Sequence, residues 1–331
     1  MTERNLPPGK LPAALLRELL ALAPSTAPEL LLPPAVGEDA AAIDIAAGAL
    51  IAATDPITLT GYDVGAHSVV VNANDVAVMG ARPRWFLAAV LLPVGTTEEE
   101  VRALFQGLYA TLERIGAVLV GGHTEITPAV TQPVVIGQML GLREDGQFIR
   151  TGGVKAGDLI LQVGAAPIEG TAVLAREATS RLQTVPSATL TRARAALSDP
   201  GISVVEAALR ATALGATALH DPTEGGLSAG LYELAEASGV ALQLDAESAL
   251  WFEPGMALCR ALNADPWGVL ASGTLLAAFS PVLAAHALAV MGDEGYTAAI
   301  IARAKPGAGV ERSDGVPFPR YERDELSRIL A

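Results

Sequence analysis

Four aspartates stand where an apolar stretch of the chain stops: Asp39 in GEDAAAID, Asp55 in TDPI, Asp75 in NANDVAV and Asp221 in HDPTEGGL. A carboxylate at the end of a buried element reaches a cleft from a rigid base, which metal and substrate sites require. Each has an ordinary structural use as well; Asp39 could cap a turn, and Asp55 could start one with Pro56. Asp75 is harder to account for in that way. It falls in a helical run of Val, Ala and Met, with Asn72 three residues earlier on the same face. A buried carboxylate is costly unless it is paired or metal-bound, and Asn72 and Asn74 are the partners that could satisfy it within the fold.

If these carboxylates converge, electrostatics sets what must accompany them. Two of them about 4 Å apart repel by roughly 4 kcal/mol at an effective dielectric near 20, so a cluster calls for divalent cations. Aspartates without His or Cys partners favour hard cations, Mg²⁺ above all where phosphates share the coordination. The expected cargo is a nucleoside triphosphate with magnesium. Two glycine-rich turns could receive its phosphates: Gly121-Gly122-His123-Thr124 after a strand, and Thr223-Glu224-Gly225-Gly226 at the start of a helix. The second offers the N–H groups of a helix N-terminus. Neither is a Walker loop or a GxGxxG fingerprint, so plain tight turns remain the alternative. His123 and Glu169 are the candidates for proton transfer or acceptor binding. Their alternatives are a supporting hydrogen bond for His123 and a helix cap for Glu169.

The elements that position these residues can be read from the pattern around them. In 331 residues, longer than one core readily fills, two domains are expected. Leucines 11, 15, 19 and 22 mark an N-terminal helix, followed by a Pro-rich linker. ALIAATDPITL reads as a strand, and Val64–Gly80 as a buried helix stopped by Gly80 and Pro83. Residues 97–115 read as an amphipathic helix that opens with a Thr97/Glu100 capping box. AVLV is a short strand leading into GGHTEIT, and PVVIGQMLG and QFIR flank a hairpin-like turn at Asp145-Gly146. The polar seam TGGVKAGD marks the boundary, giving a linker and helix over 1–35, a first domain over 36–152 and a second over 153–331. The second domain repeats the α+β traffic, with a polar segment over 178–200 that is either a lid or a surface loop. Leu275–Phe279 is expected as a buried strand, with Ser280 and Pro281 opening the next helix.

The composition narrows the function classes. Hydrophobic residues make up 51% of the chain and aromatics only 4%, so stacking on rings is not expected to dominate recognition. A net charge of −14 leaves nothing to neutralise a nucleic-acid backbone. One cysteine, Cys259, excludes an internal disulfide framework. The apolar stretch Val269–Gly292 is interrupted by Ser, Thr, Pro and His, and no signal peptide opens the chain, so a cytoplasmic protein away from membranes is expected.

The order of GEDAAAID (37–44), TDPI (54–57), NANDVAVMGARPRW (72–85), GGHTEIT (121–127), EGTAVLARE (169–177) and HDPTEGGL (220–227) resembles the aminoimidazole-ribonucleotide-synthetase (PurM) superfamily. The similarity spans about residues 35–305 and is nearest to the HypE-type hydrogenase maturation factors. It implies an α+β, two-domain fold whose N-terminal mixed sheets pair into a barrel shared by a homodimer, with ATP in clefts near that interface. It further implies Mg²⁺-phosphate binding by Asp39, Asp55, Asp75 and Asp221. Asn72, Asn74, Gly121, Gly122 and Thr124 would line the nucleotide, joined by Thr223, Gly225 and Gly226. The chemistry implied is ATP-driven activation of an amide or carboxyl-type oxygen on a small-molecule or protein-borne acceptor. The resemblance breaks at one point. HypE proteins carry their substrate on a C-terminal cysteine, whereas this sequence ends RDELSRILA and Cys259 sits in a helical stretch. A nucleotide-binding maturation scaffold without turnover, or a small-molecule kinase, are the alternative readings.

Overall fold

The capping box at Thr97 shows local sequence chemistry setting an element. The Thr97 hydroxyl accepts from the Glu100 N–H while the Glu100 carboxylate accepts from the Thr97 N–H at 2.8 Å. At the other end Gly116, with φ 76°, closes the helix in the left-handed conformation. A computed structural model describes residues 48–58, 63–314, 316–321 and 323–330, with short pieces at 9–10, 13–22, 27–28, 30–32 and 42–43. In chain order the elements are β1 (Gly9–Lys10), α1 (Ala13–Ala21), β2 (Leu30–Leu32), β3 (Ala42–Ile43), β4 (Ala49–Ile57), α2 (Val64–Val78), β5 (Arg82–Leu92), α3 (Glu98–Ile115), β6 (Val118–Ile126) and β7 (Val134–Arg143). They continue with β8 (Leu159–Val163), α4 (Glu169–Glu177), α5 (Ser187–Ala195), α6 (Val205–Ala213), β9 (Ala218–His220), α7 (Gly226–Ser238), β10 (Ala241–Leu244), α8 (Glu253–Leu262), β11 (Leu275–Phe279), α9 (Pro281–Asp293), β12 (Ala298–Lys305), β13 (Gly309–Arg312) and α10 (Glu325–Leu330).

The chain divides into two compact units, one of residues 1–77 and 81–148, the other of residues 78–80 and 149–331. Both are α+β. In the first, five strands run in the order β1-β6-β5-β7-β4, with β5 and β6 parallel and the other neighbours antiparallel. Alternation along the strands gives this sheet two distinct faces. One face carries Ala53, Phe86, Met139 and Leu119 in register and meets α2, where Gly137 lies against Asn72 and Gly141 against Val76. The other face carries Ala52, Leu140, Trp85 and Val118 in one row and Pro56, Ile136, Ala89 and His123 in another. Many of those side chains are half-buried or exposed.

The second unit holds a six-stranded sheet in the order β13-β10-β12-β8-β11-β9. The apolar side of α7 (Leu227, Leu231, Leu234, Ala235) packs into a cluster with Ile160, Leu242, Leu276, Ala278 and Ala304. Leu275, Ala277 and Phe279, which point the other way from β11, are also fully buried. A second cluster joins α4, α5 and α8 through Leu174, Ala193, Leu258, Cys259 and Leu262.

Three expectations for the elements change. Residues 178–200 are not a loop: they hold α5 and two short helical turns, with Leu182, Val185 and Ala193 buried among helices. Small and apolar residues spaced among the Ser, Thr and Arg supplied a buried side that the polar composition concealed. QFIR forms no strand after the Asp145-Gly146 turn; Asp145 closes the turn on itself by accepting from the Gln147 N–H at 3.0 Å. Gly121–Thr124 is not a turn but the middle of β6, in register with Leu87–Val90 of β5. The extra residue needed there is a bulge in β6 beside Phe86/Leu87.

Candidate functional site

Asp55 stands on the helix-facing side of β4, two residues before its end, and its backbone is clamped from α2. Asn72 Oδ1 accepts from the Asp55 N–H at 2.8 Å, and Asn72 Nδ2 donates to the Asp55 carbonyl at 3.2 Å and to the Ser68 carbonyl at 2.8 Å. Asn72 is therefore wholly occupied and is fully buried. The row that contains Asp55 continues through Gly137, Ala88 and Gly122 on β7, β5 and β6. Such small residues let the strands and α2 pack closely beside the carboxylate. Two of them have no room for more: a Cβ on Gly137 would lie 2.4 Å from Asn72 Nδ2, and one on Gly122 would lie 2.0 Å from the Ala88 carbonyl oxygen.

Asp75 stands one turn beyond Asn72 on α2 and is mostly buried. Burial, and next the charge of Asp55, push its carboxyl up to about 7, and burial also raises Asp55. The structure thus brings Asp55 and Asp75 into electrostatic contact, and at neutral pH the pair holds its second charge only weakly. A divalent cation is the species that relieves this, and two carboxylates with phosphate and water oxygens are a set that Mg²⁺ accepts. Among the described residues no group of three or more His, Cys, Asp or Glu is arranged to hold a metal by itself. Asp39 lies outside the described residues. Asn74 is buried on α2.

His123 points away from this pair. Its row on β6 contains Ala89, Ile136 and Pro56, and the neighbouring row holds Asp55 on the opposite face of the sheet. Its Nε2 lies 3.3 Å from Glu125 Oε2, two residues along the same strand face, and both side chains are about two-fifths exposed. Thr124 faces the helix side with Val90 and Val135. The Glu125 partner was missed from sequence; alternation along β6 would have placed it beside His123 had the segment been read as a strand.

In the second unit, Thr223–Gly226 and the start of α4 meet around residues 267–271. The Ala271 N–H donates to the Thr223 carbonyl at 3.2 Å, and the Gly170 N–H to the Leu270 carbonyl at 3.0 Å. A Cβ on Gly226 would lie 2.4 Å from the Trp267 carbonyl oxygen, which explains a glycine with φ 68° at the first position of α7. Glu169 and Asp221 are both buried. The N-terminus of α7 carries an anion from the chain itself: Asp324 Oδ2 accepts from the Gly225 N–H at 2.8 Å. His220, just before Asp221, pairs with Glu233 of α7 at 2.8 Å and holds that carboxyl below its ordinary range.

The family models for AIR synthase related proteins match both units, the N-terminal domain over residues 37–143 and the C-terminal domain over 155–314. The chain belongs to the AIR synthase related family. This AIR synthase related protein is 31% identical over 267 residues to carbamoyl dehydratase HypE of Cupriavidus necator, covering 77% of this chain and 72% of that one. It is 31% identical over 219 residues to thiamine-monophosphate kinase of Methanospirillum hungatei, covering 62% and 68% respectively. Among solved structures, hydrogenase maturation protein HypE in complex with ATP superposes with a TM-score of 0.76 at 22% identity, over 94% of this chain and 93% of that one. The two-domain α+β fold of the family is therefore present. Among the described residues, no helix is long and apolar enough to cross a membrane.

Proposed function

We propose that this protein binds ATP with Mg²⁺ at the Asp55–Asp75 pair and uses it to phosphorylate an amide or carboxyl-type oxygen. The observation that carries the reading is the placing of two carboxylates together, Asp55 held on β4 by Asn72 and Asp75 one turn along the same α2. There burial, and then the charge of Asp55, push the Asp75 carboxyl up to about 7. Mg²⁺ would supply the charge that lets both carboxylates ionise and that balances the phosphates. Asn72 then serves the site indirectly, fixing Asp55 by its backbone. Gly121, Gly122 and Thr124 on β6 and Asn74 on α2 are assigned to the nucleotide, and Asp39 and Asp221 to further metal-phosphate contacts. Thr223, Gly225 and Gly226 are assigned to phosphate, and Glu169 and His123 to the acceptor.

In the reaction, the acceptor oxygen attacks the γ-phosphorus, the bond to the bridging oxygen breaks, and ADP leaves. The oxygen, now a phosphate ester, departs as phosphate when the acceptor loses water or closes a ring. Such a path asks for positioning and charge neutralisation rather than a covalent nucleophile. It suits a chain whose only cysteine is buried, with its thiol pushed up to about 12 mainly by burial. The HypE relatives support this reaction class, since the name carbamoyl dehydratase describes removal of water from an amide-type group.

The exposed face of the first sheet supports a homodimer. Leu50, Ala52, Thr54 and Pro56 line β4 there, beside Ile136, Leu140 and Leu142 of β7. A second copy covering that face would bring His123 and Glu125 to the subunit boundary. The acceptor is proposed to be a small molecule or a group on another protein, handled in the cytoplasm. One solved neighbour, at 22% identity, is a complex of HypE with HypF, which makes a protein partner a class worth testing.

Phosphate release from ATP, measured across a panel of carbamoyl and carboxamide compounds, tests the reading. Acceptor-dependent turnover that falls at least a hundredfold in Asp75→Asn supports it. ATP bound without turnover under every acceptor points to a scaffold. The kinase relative favours one further outcome: a phosphorylated product that survives work-up identifies a kinase instead.

A further inference from the structure

β9 ends on His220, whose register partner on β11 is Leu276. Partners across a sheet share a face, and Leu276 packs in the α7 cluster, so the imidazole also faces α7. There its Nε2 lies 2.8 Å from Glu233 Oε2. The His220 side chain is mostly buried, with 19% exposed against 51% for Glu233. Two residues along the chain, Pro222 sits against Gly230 of α7, where an added Cβ would fall 2.7 Å from the Pro222 Cβ. Gly226, Gly230 and Glu233 follow helical spacing and share one face of α7. That face grips the 220–223 segment along its length. The Thr223 carbonyl completes the hold, accepting from the N–H groups of Gly226 at 3.1 Å and Ala271 at 3.2 Å.

Asp221 stands between the grips on His220 and Pro222 and is itself buried. A proline keeps the residue before it in extended backbone, so Pro222 restricts Asp221 from one side. The His220 contact restrains it from the other, which leaves the carboxylate few directions to take. Glu233 is committed to this contact: the His220 hydrogen bond is the largest influence on its carboxyl, and the charge of Arg320 is the smallest. An ion pair with a half-exposed partner adds little to stability, but it fixes where the strand end delivers Asp221.

We propose that His220 and Glu233 are positioning residues for Asp221, anchoring the end of β9 to α7 so that the carboxylate is presented to a metal-bound phosphate in one direction. The inference rests on the assignment of Asp221 to metal-phosphate contacts under the proposed function. Both side chains act through the backbone of residues 220–222 rather than by touching the nucleotide.

Calorimetric titration of the whole chain with Mg-ATP tests it, with urea unfolding run on each variant and Asp221→Asn as the reference loss. His220→Ala and Glu233→Ala are each expected to weaken binding about tenfold, the loss usual for a group that orients a metal's ligands. The double variant should lose no more than either single one, because the same contact is removed in all three. His220→Gln, whose amide can still donate to Glu233, should bind within about twofold of the wild type. A merely structural pair would lower the urea midpoint and leave the affinity of the folded chain unchanged, and that result overturns the inference. Additive losses overturn it too, as does a His220→Gln variant that binds as weakly as His220→Ala. Should His220→Ala fail to fold, Glu233→Ala decides at its half-exposed site, a tenfold loss supporting the pair and an unchanged affinity overturning it. Binding lost in Asp221→Asn but kept in both single variants overturns the positioning pair and leaves the proposed function standing. A wild type that binds no Mg-ATP overturns both.

Discussion

Asn72 grips the Asp55 peptide from both sides, accepting from its N–H at 2.8 Å and donating to its carbonyl at 3.2 Å. An asparagine on α2 thereby fixes the backbone of a carboxylate on β4, 17 residues away in sequence. Replacing it with alanine leaves the Asp55 N–H and carbonyl without the partners that α2 supplies, while the Ser68 carbonyl keeps its helical bond. Each such group costs about 1–3 kcal/mol. Asn72→Ala is therefore expected to lose about 3 kcal/mol in urea unfolding, and Mg-ATP affinity with it, although the side chain need not touch the nucleotide.

Gly137 makes that grip possible. A methyl group at this position would stand 2.4 Å from Asn72 Nδ2 and 2.8 Å from Phe86 Cε2. Overpacking of this kind costs about 1–3 kcal/mol. Gly137→Ala should destabilise the first unit, and the penalty should shrink when Asn72 is already alanine. A double-mutant cycle in urea measures the coupling; additive losses would show that the clash is relieved elsewhere.

Asp75 fixes the sign of a pH effect. Its carboxyl is raised to about 7 in the folded chain from an ordinary 3.8, so the folded state binds its proton more tightly than the unfolded state. The resulting stabilisation is fully present below about pH 4 and is lost as pH rises through 7. Without ligand, the wild type is expected to melt a few degrees lower at pH 8 than at pH 6. Asp75→Asn should flatten that difference and raise the melting temperature at pH 8. Thermal melts at the two pH values check both.

The open sheet face predicts an assembly. Ala52 is exposed on β4 beside Leu140, and Leu50 is 44% exposed on the same face. Ala52→Arg places a charge in the middle of that face and is expected to convert a dimer to monomer in sedimentation, with the monomer's melting temperature little changed. A wild-type monomer would remove the homodimer from the account.

Asp75 was legible as a candidate because it is an acid in a helix of Val, Ala and Met, whereas its nearness to Asp55 followed from the family resemblance and not from spacing. The capped helix α3 was legible because its signals are local, as was the α9 start at Ser280-Pro281. His123 shows where reading fails. Two adjacent glycines suggested a turn, yet hydrogen bonding to β5 keeps the segment extended, and the direction of the side chain follows from strand parity. Asp324 could not have been found from pattern alone. It meets Gly225 across 99 residues, and neither residue's neighbours point to the other.

The central claim is that the Asp55–Asp75 pair is a cation-dependent nucleotide site. Calorimetric binding of ATP, with and without Mg²⁺, to the wild type and to Asp75→Asn tests it most directly. Binding is expected to require Mg²⁺ in the wild type and to weaken at least a hundredfold in the variant, whose fold persists. ATP bound equally well without Mg²⁺, or undiminished in Asp75→Asn, would contradict it.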